Sequence, residues 1–133
     1  TIRDRSDWTK HFCVSAALVV LADETTSDLL GVLKEEMDSG GGSGFSFGDL
    51  LADRAGTMFA EAATHDAASA RRFQNNFAGD VRIDDIFPPA ADLPEGLQGR
   101  ELQTRFGGIG GRGYRKVEQD INRRLQNCIL LRK

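Results

Sequence analysis

His11, Lys34, Glu35, Asp38 and Asp53 are the residues of this 133-residue chain whose types and spacing could do chemistry. An imidazole titrates near neutrality, so among carboxylates it can exchange protons at physiological pH, and the same donors can hold a cation. Turning each position by 100° along a helix puts Gly31, Lys34, Glu35 and Asp38 on one stripe and Asp49, Asp53, Gly56 and Ala60 on another. A third stripe, His11, Ser15, Leu18 and Ala22, is polar at one end and small enough for close approach. Each acidic stripe contains a glycine. Inside a helix that costs roughly 1 kcal/mol relative to alanine, which points to another backbone passing close by. If the three faces meet, they form one semi-buried polar cluster, with His11, Glu35, Asp38 and Asp53 as the catalytic candidates.

A structural reading competes with the catalytic one and leads it. Charged residues on outer helix faces are usually solvated, Lys34 with Asp38 is an i,i+4 pair worth a few tenths of a kcal/mol, and Asp49 has a use as a helix cap. One histidine among scattered acids does not meet the zinc pattern, although an oxygen-rich site for a hard cation stays open. No organic cofactor is expected. Glu36 projects between Leu29 and Val32 and reads as a snorkelling or salt-bridged side chain. His65 falls at a helix C-terminus, where the dipole favours a cation. Ser15 and Ser46 lack the G-x-S-x-G setting of an activated nucleophile. Gly108, Gly110 and Gly113 satisfy a literal G-x-G-x-x-G, but no strand precedes them, so a flexible connection or a close backbone approach is expected instead of a dinucleotide site.

Helices must position these groups. The first is expected from Ser6 or Asp7, either of which can cap it, to Asp23; its apolar middle places it at the centre of a bundle. The second follows Thr25-Thr26-Ser27 and runs to about Asp38, with Leu29, Leu30, Leu33 and Met37 inward, before SGGGSG at 39–44 ends it. The third has the clearest start. Ser46 and Asp49 form a capping box, Phe45 and Leu50 a hydrophobic staple, and the helix runs to about His65 burying Phe47, Leu51, Ala55, Met58 and Ala62. A fourth stretch spans Ala67 to Phe77. From Asp80 to Gly113, prolines and glycines leave space for one short helix near Gln98 to Phe106, with Ile83, Ile86, Phe87, Leu93 and Leu97 as anchors of a wrapping segment. A last helix from Tyr114 aligns Tyr114, Val117, Ile121, Leu125 and Cys128 on one face.

The expected fold is therefore mainly α: a compact bundle of four to five helices in a single domain. Residues 7–78 form its helical core, 79–113 an irregular wrap and 114–131 a C-terminal helix. The length suits one domain, and 40% hydrophobic with 28% charged residues argues against disorder. The longest apolar run, Val14 to Ala22, is half of what a membrane helix requires, so no transmembrane segment is expected. A net charge of -3, with Lys and Arg dispersed, argues against a nucleic acid partner. Thr at position 1 makes a processed or trimmed chain the expectation. Cys13 and Cys128 read as buried free thiols, with a disulfide between them as the alternative.

His11-Phe12, then Gly31, Lys34, Glu35 and Asp38, then Gly44, Phe45, Ser46, Asp49, Leu50, Ala52 and Gly56 resemble a family of small bacterial proteins, predicted periplasmic lipoproteins of unknown function. The resemblance covers roughly residues 7–60 and implies an envelope location, periplasmic or secreted, with no established chemistry to carry over. The chain lacks the long apolar helices common in that group. Two functions follow as expectations. The first is a non-enzymatic binding or assembly module whose partner is a protein or envelope component. The second is a small hydrolase or metal-binding protein that uses the His/Glu/Asp cluster with the Gly-rich turn as a lid.

Overall fold

A computed structural model describes residues 1–22 and 44–133. The described residues form five α-helices, α1 Ser6–Leu21, α2 Phe47–Thr64, α3 Ala67–Phe77, α4 Gly99–Phe106 and α5 Arg112–Gln126, with 3-10 turns at Ile83–Asp85 and Ile129–Leu131. No strand occurs among them, and the mainly α class holds. The expected second helix, with Gly31, Lys34, Glu35, Glu36 and Asp38, and the SGGGSG turn as far as residue 43 lie outside the described residues.

The start of α1 departs from expectation. Arg5 occupies the cap position with no side-chain cap bond, and neither Ser6 nor Asp7 serves. Arg3 and Asp4 instead adopt left-handed backbone, with φ of 49° and 59°, and fold the first residues into a tight turn closed by Arg5 N donating to Ile2 O at 2.9 Å. Asp7 still favours the helix, since a carboxylate in the first turn meets the positive end of the dipole.

Half of the expected capping box of α2 forms, the Asp49 backbone N–H donating to Ser46 Oγ at 3.1 Å. Two backbone hydrogen bonds between Phe45 and Leu97, 2.8 and 2.9 Å, then join this start to the wrapping segment. Phe47, Leu51, Ala55 and Ala62 are buried as expected, and so are Ala52, Gly56 and Ala60. With buried residues on more than one side, α2 contacts α1, α3, α5 and the C-terminal 3-10 turn. Among the described elements α2, and not α1, therefore holds the centre, and α5 packs on α2 and α4.

One core joins these elements. Phe87, fully buried in the wrap, stacks on Trp8 with ring centroids 5.6 Å apart. Phe47 meets Tyr114 at 5.4 Å and Phe106 at 5.2 Å, which fixes α4 and α5 to the start of α2. Leu93 and Leu97 are buried anchors, but Ile83 is exposed, because its 3-10 turn shows only Ile86 and Phe87 to the core. The C-terminal helix begins at Arg112 and ends at Gln126, earlier than expected at both ends. Its stripe of Tyr114, Ile121, Leu125 and Cys128 is buried, and the chain then leaves the helix so that Leu130 and Leu131 reach the core. Arg124 clamps this helix to the wrap through Asp92, at 2.7 and 2.6 Å, and the Pro89 carbonyl at 2.9 Å.

Both cysteines are free. Cys128 is buried, while Cys13 is exposed, contrary to the expectation of two buried thiols. The buried positions of α1 are Trp8, Phe12 and Ser15, and position 13 lies outside the stripe they form.

Candidate functional site

The polar site is built by a close crossing of two helices. A Cβ placed on Gly56 would overlap the Phe12 carbonyl oxygen and stand 2.8 Å from its carbon, so only glycine lets α2 approach the α1 backbone this closely. Asp7, His11 and Ser15 recur every four residues on α1, and Asp49 and Asp53 do so on α2. At this spacing the two rows interleave.

His11 Nδ1 lies 2.8 Å from Asp53 Oδ1, and His11 Nε2 lies 3.4 Å from Asp49 Oδ2. Ser15, buried at 5% exposure, donates to the same Asp53 oxygen at 3.2 Å. The hydrogen bond to Asp53 raises the imidazole pKa most, against the opposing effect of burial, and the charges of Asp53, Asp49 and Asp7 add to it. An imidazolium, hydrogen-bonded to Asp53 and facing the Asp49 carboxylate, is the form these carboxylates favour. Asp49 is shifted the other way from an ordinary salt-bridged acid. Burial raises its pKa, with His11 opposing, and its Oδ1 has no hydrogen-bond partner among the described residues.

Above this junction lies a cleft of about 340 Å³ lined by Arg5, Asp7, Gly44, Ser46, Asp49, Glu95 and Gly96. The Arg5 guanidinium holds Asp7 through Nε at 2.8 Å and Nη2 at 2.6 Å, and reaches Glu95 at 2.8 and 3.2 Å. These charge-assisted bonds depress the Asp7 pKa and push that of Arg5 further up. The guanidinium also stacks over the Trp8 ring, 4.2 Å from its centroid. Ser46 Oγ donates to Glu95 Oε1 at 3.3 Å, so the α2 cap residue also shapes the cleft wall.

Of the residues expected to converge, His11 and Asp53 do so directly, whereas Lys34, Glu35 and Asp38 lie outside the described residues. Asp49 corrects its assignment as a cap. Its backbone N–H does the capping and its carboxylate turns to His11, a role that its place four residues before Asp53 on the same stripe signals. Arg5 and Glu95 carried no such signal, since 90 residues separate them in sequence.

Ser15 is not set up as a nucleophile. In a Ser-His-Asp triad the imidazole stands between hydroxyl and carboxylate, but here the carboxylate of Asp53 stands between the other two. His65 is exposed at the α2 C-terminus, 3.8 Å from Asp66. No group of three or more His, Cys, Asp or Glu among the described residues has the geometry to hold a metal ion. The G-x-G-x-x-G is a packed corner between α4 and α5, with no strand before it; a Cβ on Gly113 would stand 2.8 Å from Phe106 Cα. Gly107 at φ 76° ends α4, its N–H donating to the Gln103 carbonyl and that of Gly108 to Leu102. No helix among the described residues is long and apolar enough to cross a membrane. Compared with known protein families, with characterised proteins and with solved structures, the chain matches none.

Proposed function

We propose that this chain is a non-enzymatic binding or assembly module of the bacterial envelope or a secreted setting. The observation that carries the reading is the engagement of His11 at both ring nitrogens, by Asp53 at 2.8 Å and Asp49 at 3.4 Å. An imidazole held in this way cross-links α1 to α2, and the imidazolium that Asp53 and Asp49 favour has no lone pair with which to activate a hydroxyl or a water. The envelope part rests on the resemblance over residues 7–60. The binding surface in this reading is the outside of the helical body together with the Pro- and Gly-rich wrap.

The buried, unpartnered Asp49 Oδ1 beside the Arg5/Glu95 cleft favours a second reading, a small hydrolase or metal-binding protein that uses His11 and Asp53, whose other expected members, Glu35 and Asp38, lie outside the described residues. One comparison separates the two. The wild type and the His11→Ala and Asp53→Ala variants, with folding checked by circular dichroism, are assayed on ester, phosphoester and peptide substrates with and without divalent cations. The binding-module reading expects variants of lower stability and no turnover to lose. A hydrolysis lost in a well-folded His11→Ala variant overturns it.

A further inference from the structure

We propose that the glycine corner between α4 and α5 docks on an anionic lipid surface, with Ile109 as its apolar insert and Arg112, Arg115 and Lys116 as a cationic collar. This deepens the binding-module reading by naming a partner, and it rests on that reading.

Ile109 is 73% exposed, more than any other large hydrophobic residue described. Its exposure is built in. Gly111 N donates to Gly108 O at 3.0 Å and closes a turn with Ile109 and Gly110 at its corners. Gly107, Gly108 and Gly110 have φ of 76°, 76° and 80°, backbone that favours glycine. Beneath the turn, Gly111 and Gly113 let the two helices pack backbone to backbone, since a Cβ on either would meet Phe106 or Gly107 at 2.5 to 2.8 Å. The corner therefore holds the isoleucine away from the core.

The sequence on either side of it is unevenly charged. Residues 100–116 contain five cations, Arg100, Arg105, Arg112, Arg115 and Lys116, against the single acid Glu101, a local net of +4 in a chain of -3. Glu101 is taken by Arg105 at 2.8 Å and nearby Glu118 by Arg54. Arg112, Arg115 and Lys116 are exposed and make no ion pair among the described residues. They also crowd the start of α5, whose first turn contains no acid, so they oppose the helix dipole. Helix stability does not explain their placement.

An acyl layer beneath anionic headgroups meets both features at one point, because the isoleucine enters the apolar phase while the collar lies at phosphate level. A nucleic acid backbone would satisfy the cations and leave the isoleucine in water.

Flotation of the full chain with vesicles tests this, using phosphatidylglycerol mixed into phosphatidylcholine against phosphatidylcholine alone. Binding is expected only with the anionic lipid and is weakened by salt. The triple variant Arg112→Gln, Arg115→Gln, Lys116→Gln is expected to lose roughly 100-fold, about fivefold per charge, and Ile109→Ser roughly tenfold. Ile129→Ser, a half-exposed isoleucine on the C-terminal turn, is the control and is expected to bind as wild type. All substitutions are at exposed positions, and circular dichroism verifies folding. No binding to anionic vesicles overturns the proposal, even if an acidic protein is captured instead. Binding that neither variant reduces also overturns it. Vesicle binding together with a turnover lost in His11→Ala would keep the tip and remove the non-enzymatic reading; no binding and no turnover would do the reverse.

Discussion

Gly56 of α2 lies directly against the backbone of Phe12 in α1, with the position of an absent Cβ only 2.8 Å from the Phe12 carbonyl carbon and 3.0 Å from its Cα. His11, the neighbour of Phe12, reaches Asp53, one turn before Gly56, because of that approach. The polar junction is thus a consequence of a small-residue contact. The glycine in the acidic stripe does what its cost inside a helix implied: another backbone, that of α1, passes close by.

Gly56→Ala forces the two helices apart, because the obstructing atoms are backbone and cannot rotate away. Overpacking of this kind costs about 2–3 kcal/mol, so thermal denaturation should show a melting temperature lower by on the order of 10 °C. The His11 to Asp53 hydrogen bond should weaken in the same variant, visible as a downward shift of the His11 pKa by NMR. An unchanged melting temperature would mean that the helices do not cross at this point.

The pH dependence follows from His11. Its folded pKa is raised above 6.5, mainly by Asp53, so its stabilising contribution is complete below that value and fades as pH rises through the raised one. Asp49 acts in the same direction. Burial raises its pKa above the usual 3.8, so the penalty on folding is complete above the raised value and is gone below 3.8. Urea unfolding should therefore show stability falling from mildly acidic to alkaline pH. Asp53→Asn should lower the His11 pKa, flatten that slope and cost about 1–2 kcal/mol at acidic pH. An equally steep slope in this variant would place the titrating group elsewhere.

The thiols provide a check of the fold that is independent of the polar junction. Cys13 is exposed, whereas burial pushes the Cys128 thiol up to about 11, beside the Arg124 carbonyl. A thiolate-specific reagent should label one cysteine rapidly in the native protein and the second only on unfolding. Two equally fast reactions would show that the end of α5 does not bury Cys128, and no reaction even after unfolding would reveal a disulfide.

The local features of the sequence determined the helical class, the start of α2 at Ser46, the span of α3 and the inward stripe of α5. Each of these rests on contacts three or four residues apart, which composition and spacing encode directly. The stripe holding Asp49, Asp53 and Gly56 was legible for the same reason, as was the polar face of His11 and Ser15. Tertiary structure alone decided what these faces meet. It turned the Asp49 carboxylate from capping to His11, drew Glu95 from the wrap onto Arg5, slid Phe87 beneath Trp8 and made α2 the central helix. These contacts join residues tens of positions apart, and no periodicity records them. They follow from which faces pack most closely, and here a glycine against a backbone carbonyl made that choice.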